Sequence, residues 1–272
     1  MPDNKQNWPN RYRQLLANSD LCADTVLSKA LAPQPVERPA LFSLSQCLNK
    51  PELLLQQVRA DYADVTDKRS LLTCLSVSHL DLVQSIIAPL TLRLFLHGQA
   101  PLPDNDRIFF GPVQGGKVMS RWFQTASDKQ VGIAEFTEQL AHQLSDWYLV
   151  FRHKLGVSPG AYWSNTGLAL GAPFTAVWNT ADPDSVCALA QEWLAQFACD
   201  AHQFIEWIST GAGDRAGAVP QRRGCCLKFQ LPKGGYCGTC GVYRKARLAE
   251  LNRPFPCSEP EQWQPPQPAS RH

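Results

Sequence analysis

The pattern Cys225-Cys226, ten residues, Cys237-Gly238-Thr239-Cys240 constrains this chain more tightly than any other feature. Between the halves, Leu227, Phe229 and Leu231 alternate with Lys228 and Gln230, and this period of two predicts a half-buried strand. Pro232-Lys233-Gly234-Gly235 reads as a turn. Pairing Tyr236 back against Leu231 would form a two-stranded ribbon and carry Cys240 to Leu227, beside the vicinal pair, so that all four sulfurs converge. Gly238 and Gly241 allow the backbone to curl and aim amide N–H groups at the sulfurs.

Three chemistries compete for such a spacing. A disulfide pair is disfavoured because vicinal cysteines are a poor start for one and nothing in the chain indicates an oxidising compartment. Structural zinc sites usually present each half as C-x2–4-C, which gives both sulfurs room to reach one tetrahedral ion, and the Cys225-Cys226 half has no spacer. Adjacent side chains diverge, which suits a wider two-iron cluster better than a single ion, although thiolates serve both.

Those residues carry a resemblance. Cys-Cys-x10-Cys-x2-Cys, an arginine just before the pair, an alternating apolar stretch, a Pro-x-Gly turn and a closing C-x-x-C resemble the C-terminal [2Fe–2S] site of the FhuF-type ferric-siderophore reductases. The chain departs from that pattern at Gly241-Val242, where many relatives have proline, which affects loop stiffness and not ligation. Gly156-Val157-Ser158-Pro159 and Tyr162-Trp163-Ser164-Asn165 are similar to the helix-opening segment of the same family. The resemblance implies a [2Fe–2S] cofactor on Cys225, Cys226, Cys237 and Cys240. It implies one-electron reduction of ferric iron held in a siderophore, of the hydroxamate type, with release of ferrous iron. An external electron donor is implied too, such as a ferredoxin or a reduced flavin or NAD(P)H system, since the chain shows no dinucleotide fingerprint.

The rest of the sequence sets the context. An apolar fraction of 44% and eight tryptophans over 272 residues describe a chain able to bury a large core, and a net charge of +2 does not suggest a nucleic-acid partner. Cys22, Cys47, Cys74, Cys187, Cys199 and Cys257 are scattered among apolar residues and read as buried thiols. The opening Met1-Pro2-Asp3-Asn4-Lys5-Gln6 is polar and no apolar signal region follows, so the expected location is cytoplasmic. Leu82 to Leu96 is interrupted by Gln84, Ser85, Pro89 and Arg93 and reads as part of a buried helix pair, too short to span a bilayer. Peripheral association with a membrane transporter is permitted by the sequence without being encoded.

Helices are expected over 10–32, 41–63 with a restart at Pro51, 69–80, 81–96, 132–154, from Ser158-Pro159 onward, and from Asp182-Pro183 to about Ser209. His79, in an apolar setting, reads as a core histidine. Arg107 to Phe110 and Val118 to Phe123 flank Gln114-Gly115-Gly116, a hairpin signal, and Gly98 to Asp106 reads as a loop. The fold class is therefore α+β: a mostly helical body with a small antiparallel sheet and a C-terminal cysteine module. The expected division is a body over 1–210, reached through a mobile glycine-rich linker by a cluster module over 211–257, then a proline-rich tail over 258–272.

From Gln221 to Ala249 there are seven basic residues, Arg222, Arg223, Lys228, Lys233, Arg244, Lys245 and Arg247, and no Asp or Glu. A four-thiolate cluster is anionic, and nearby cations favour its reduced form. Arg222, Arg223 and Lys228 are thus candidates for tuning the site or steering an anionic substrate or acidic carrier protein, and Trp163 is a candidate substrate contact. The alternative from another class is a non-enzymatic module, a zinc-stapled interaction or siderophore-binding protein.

Overall fold

The computed structural model describes residues 7–31, 39–112, 119–125, 129–211, 216–231 and 234–240. The chain opens with α1 (Trp8–Ala17) and α2 (Ala23–Ala30), followed by β1 (Phe42–Ser43), α3 (Leu44–Asn49) and α4 (Glu52–Asp61). Ser43 closes a reciprocal cap with Gln46 at the start of α3, and Pro51 separates α3 from α4. The single expected helix over 10–32 is two, because the chain leaves α1 through Asp20, which takes a positive φ of 55°.

The middle of the fold is one continuous helical rod from Lys68 to His97. It comprises α5 (Lys68–Leu82), a π turn (Val83–Ile87) and α6 (Ala88–His97), where a helix pair was expected. The widened turn explains the continuity: Pro89 has no N–H to donate, and a π turn immediately before it absorbs the ring without breaking the axis. Gly98, at φ 75°, ends the rod with a left-handed cap. By length and composition this rod would suffice to cross a membrane, unlike the shorter run on which the sequence reading rested. Its most apolar window is 61% buried inside the fold, the position of a core helix.

Next come β2 (Gln99–Pro101), β3 (Ile108–Pro112), β4 (Ser120–Gln124) and β5 (Gln130–Gly132). The expected hairpin is β3 against β4, with Phe110 opposite Trp122; its turn, Gln114 to Gly116, lies outside the described residues. β1 adds a third strand, and β2 pairs with β5, so part of the expected loop at 98–106 is strand. The outer edge of β4 is covered by two carboxylates: Ser120 N–H donates to Asp61 and Trp122 N–H to Asp81, each at 2.9 Å.

The long α7 (Ile133–His153) leads through Gly156, at φ 74°, to α8 (Pro159–Leu170), capped by the Ser158 side chain on Ala161 N–H. Then follow α9 (Ala172–Thr175), α10 (Pro183–Leu194), α11 (Ala201–Phe204), β6 (Ile205–Thr210) and β7 (Gly217–Arg222). Trp8, Tyr12, Phe95, Phe174 and Trp193 meet edge to face and fasten α1, α6, α9 and α10 together. The fold is α+β with small antiparallel sheets.

The helix expected to run from Asp182 to Ser209 ends at Leu194. Ile205-Glu206-Trp207-Ile208 alternates buried and half-buried positions, and period two prevails over helix continuation there. The glycine-rich stretch after it joins two antiparallel strands, Ile208 lying opposite Val219 and Ile205 opposite Arg222. The expected body–module boundary at 210/211 therefore falls inside a β-hairpin.

Candidate metal centre

β7 delivers the chain to the cysteines, and two contacts hold it as it leaves the strand: Arg222 N–H donates to Thr239 C=O at 3.2 Å, and Arg223 N–H to Phe204 C=O at 2.9 Å. Gly224 then passes against the first turn of α8. A Cβ on Gly224 would lie 1.9 Å from the Gly160 carbonyl oxygen, so Gly224 must be glycine for backbone to touch backbone, while a Cβ on Gly160 would meet Gly224 Cα more mildly at 3.2 Å.

The extended stretch expected after the vicinal pair is absent. Leu227 takes a left-handed conformation, φ 63°, and Lys228–Gln230 form one turn of 3-10 helix. The reversal has a local cause: with its backbone turned this way, Leu227 N–H donates to Cys225 Sγ at 3.3 Å. Gln230 reaches Thr73 on α5, Leu231 is buried in the core, and Phe229 stacks on Tyr236 with centroids 5.1 Å apart. A stacked aromatic pair thus does the work assigned to a strand ribbon, and the turn still returns the chain to the first cysteines. Pro232 and Lys233, within the expected turn, lie outside the described residues.

The four sulfurs come together in a closed ring of neighbours, Cys225 to Cys226, Cys226 to Cys237, Cys237 to Cys240 and Cys240 to Cys225. Cys226 and Cys237 are 4.0 Å apart. Among the described residues no group of three or more His, Cys, Asp or Glu side chains is arranged to hold a metal ion as the side chains stand. Cys226 and Cys240 are buried, while Cys225 and Cys237 are half-buried. The ring therefore has an inner edge against the protein and an outer edge toward solvent.

The thiol hydrogens are shared unequally. Hydrogen bonds from Cys226 and Cys240 hold the Cys237 thiol far below the ordinary thiol range, and the charge of Arg222 and the Thr239 hydroxyl act in the same direction. Donation to Cys226 and Cys240, followed by burial, pushes Cys225 up. Among the described residues every cysteine is a free thiol, and burial drives Cys47 to about 12 and Cys74, Cys187 and Cys199 each to about 11. Those scattered thiols are thereby kept inert.

The three basic candidates occupy different positions. Lys228 is exposed on the 3-10 turn, and Arg223 is exposed and ion-paired with Glu206 at 3.5 Å. Arg222 is only 1% exposed, and its Nη1 donates to Asn165 Oδ1 at 2.6 Å. Lys233, Arg244, Lys245 and Arg247 lie outside the described residues. Trp163, the candidate substrate contact, is buried and packs on Tyr148 and Tyr162. His79, read as a core histidine, is fully buried and stacked on Tyr162 at 4.1 Å.

A family model, the FhuF 2Fe-2S C-terminal domain, matches residues 222–240. That match supports a FhuF-type iron–sulfur protein. It runs from Arg222 to Cys240, covering the ring and the arginine behind it. No curated protein and no solved structure matches the chain. The donor set fits a [2Fe–2S] cluster: four neighbouring sulfurs, an amide directed at Cys225 and a buried cation against the inner edge.

The sequence did not disclose the Arg222–Asn165 hydrogen bond, His79 behind Asn165, or the Gly160–Gly224 contact. Asn165 lies among the residues that carry the upstream family resemblance, which was the available signal. Nothing in the sequence joins it to Arg222, fifty-seven positions later.

Proposed function

We propose that this protein is a ferric-siderophore reductase. A four-cysteine ring within the segment that matches a FhuF 2Fe-2S domain carries this reading. Cys225, Cys226, Cys237 and Cys240 would hold the cluster, which when bound supplies a one-electron store. Burial of Cys226 and Cys240 fixes the inner edge, while half-exposure of Cys225 and Cys237 leaves the outer edge open to a redox partner.

The substrate is ferric iron chelated by a siderophore, of the hydroxamate type. Gain of one electron gives ferrous iron, which anionic oxygen donors hold far more weakly, so reduction releases the metal. The chemistry needs no proton-transferring side chain. The electron comes from an external donor, a ferredoxin or a reduced flavin or NAD(P)H system, and the reaction belongs in the cytoplasm. Lys228 and Arg223, exposed at the rim of the site, suit contact with an anionic complex or an acidic carrier.

Anaerobic purification with iron and sulfide analysis tests the assignment. The expected result is a coloured protein, bleached by dithionite, that then reduces a ferric hydroxamate under single-turnover conditions with recovery of its colour. A colourless protein holding one zinc per chain would replace this reading with that of a stapled, non-enzymatic module.

A further inference from the structure

Arg222 ends β7 three residues before Cys225, with its side chain directed into the protein. A guanidinium carries its charge wherever it is placed, and a buried one normally has a carboxylate partner. Among the described residues Arg222 has none: its side-chain hydrogen bond goes to the neutral Asn165, and its Nε has no protein partner. Its backbone ties it to both halves of the cysteine motif: Arg222 stands three residues before Cys225, and its N–H donates at 3.2 Å to the carbonyl of Thr239, the neighbour of Cys240.

The arrangement behind Arg222 is interlocked. Asn165 Nδ2 donates to the Ser76 carbonyl and to His79 Nδ1, both at 3.2 Å, so both amide hydrogens are engaged and Oδ1 is fixed toward the guanidinium. His79 must then accept on Nδ1 and carry its proton on Nε2, as a neutral ring. Protonation of Nδ1 would turn the Asn165 amide and present NH2 to a cation. Burial, aided by Arg222, holds His79 neutral by lowering its pKa to about 3.

We propose that Arg222 is the resident counter-charge of the four-cysteine site, positioned by Asn165 and His79, and that its buried cation is neutralised when the thiolates and their bound group are in place. The inference rests on reading the cysteines as ligands. Two consequences follow: loading stabilises the parent protein partly through Arg222, and Arg222 raises the readiness of the loaded site to accept an electron.

Three variants test it, Arg222→Met, Asn165→Asp and Arg222→Lys, each melted stripped and loaded and each titrated anaerobically for its midpoint potential. In Arg222→Met and Asn165→Asp the gain in melting temperature on loading should shrink, by loss of the cation in one and by a carboxylate already facing it in the other. At a fixed ambient potential the ratio of reduced to oxidised site should fall about tenfold in both, a shift of about 59 mV for a one-electron couple. Arg222→Lys should stay near the parent on both readouts.

Parent-like gain and potential in Arg222→Met or Asn165→Asp would overturn the proposal. So would an Arg222→Lys that falls as far as Arg222→Met. Where Arg222→Met does not fold, Asn165→Asp decides with the same readouts. A protein that binds zinc in place of iron removes the reductase reading, and the melting comparison still decides the role of Arg222.

Discussion

The helical rod Lys68–His97 and the cysteine segment 224–240 are held by different physics. The rod buries a broad apolar surface through Leu75, Leu82, Ile86, Leu90, Leu94 and Phe95, and its burial is non-directional and spread over many side chains. Among its described residues the cysteine segment buries little besides Leu231 and its two inner sulfurs, and it is held by a backbone contact at Gly224, a few amide bonds and a stacked ring pair. The rod is held by burial alone, whereas the segment has little burial to draw on. Stability and loading should therefore be separable by mutation.

The largest effect expected is complete loss of the bound group in any of Cys225→Ser, Cys226→Ser, Cys237→Ser or Cys240→Ser, read from metal content and visible absorption. Cys74→Ser and Cys199→Ser should keep the parent spectrum. Conversely, Phe95→Ala should cost about 3–5 kcal/mol in chemical denaturation while leaving that spectrum intact. If Phe95→Ala erased the spectrum at concentrations where the protein is folded, the two regions would not be separable in this way.

At the seam between them, Gly224→Ala places a methyl against the Gly160 carbonyl. Relief by backbone displacement should cost about 1–3 kcal/mol and lower metal occupancy, as measured by melting and metal analysis. Gly98→Ala has open space around its Cβ and only a positive φ to contend with, so it should lower stability without touching occupancy.

Smaller still is a pH effect. His79 is held neutral in the folded protein down to about pH 3, below the ordinary histidine value of 6.5. Between those values the unfolded chain binds a proton that the folded chain does not, so stability falls on acidification through this window, by at most about 1.4 kcal/mol per pH unit. His79→Gln should flatten this part of the stability–pH curve, as followed by denaturant titrations from pH 7 to pH 4. At the bottom of the scale, Arg223→Ala breaks an exposed ion pair with Glu206 and should change stability by under about 1 kcal/mol, with no change in spectrum.

The sequence was most informative where one local rule acts alone. Ser158-Pro159, Asp182-Pro183 and Gly98 mark helix ends by capping and proline chemistry, and the structure puts helix boundaries at each. It was least informative where a distant partner overrides local preference. Period two at Leu227 to Leu231 was real, but Cys225 recruits the Leu227 amide and turns the chain. Ile205 to Thr210 became a strand because Gly217 to Arg222 pairs with it across a glycine-rich turn. The convergence of the four cysteines was legible because it depends on spacing, whereas the burial of Arg222 at the end of β7 and the exposure of Arg223 just beyond it depend on tertiary packing and were not.

The hairpin of β6 and β7 has a consequence for cutting the chain. A break at residue 211 would strip β6 of its neighbour and leave β7, with the cysteines attached, as a lone edge. A gene fragment encoding 211 onward should thus yield an aggregating peptide and not a portable cluster carrier. The smallest excisable unit would have to include α8, which supplies Gly160, together with both strands. Backbone amides of Ile205 to Thr210 should, by the same continuity, slow their deuterium uptake when the cysteines are loaded, reporting occupancy from the far strand.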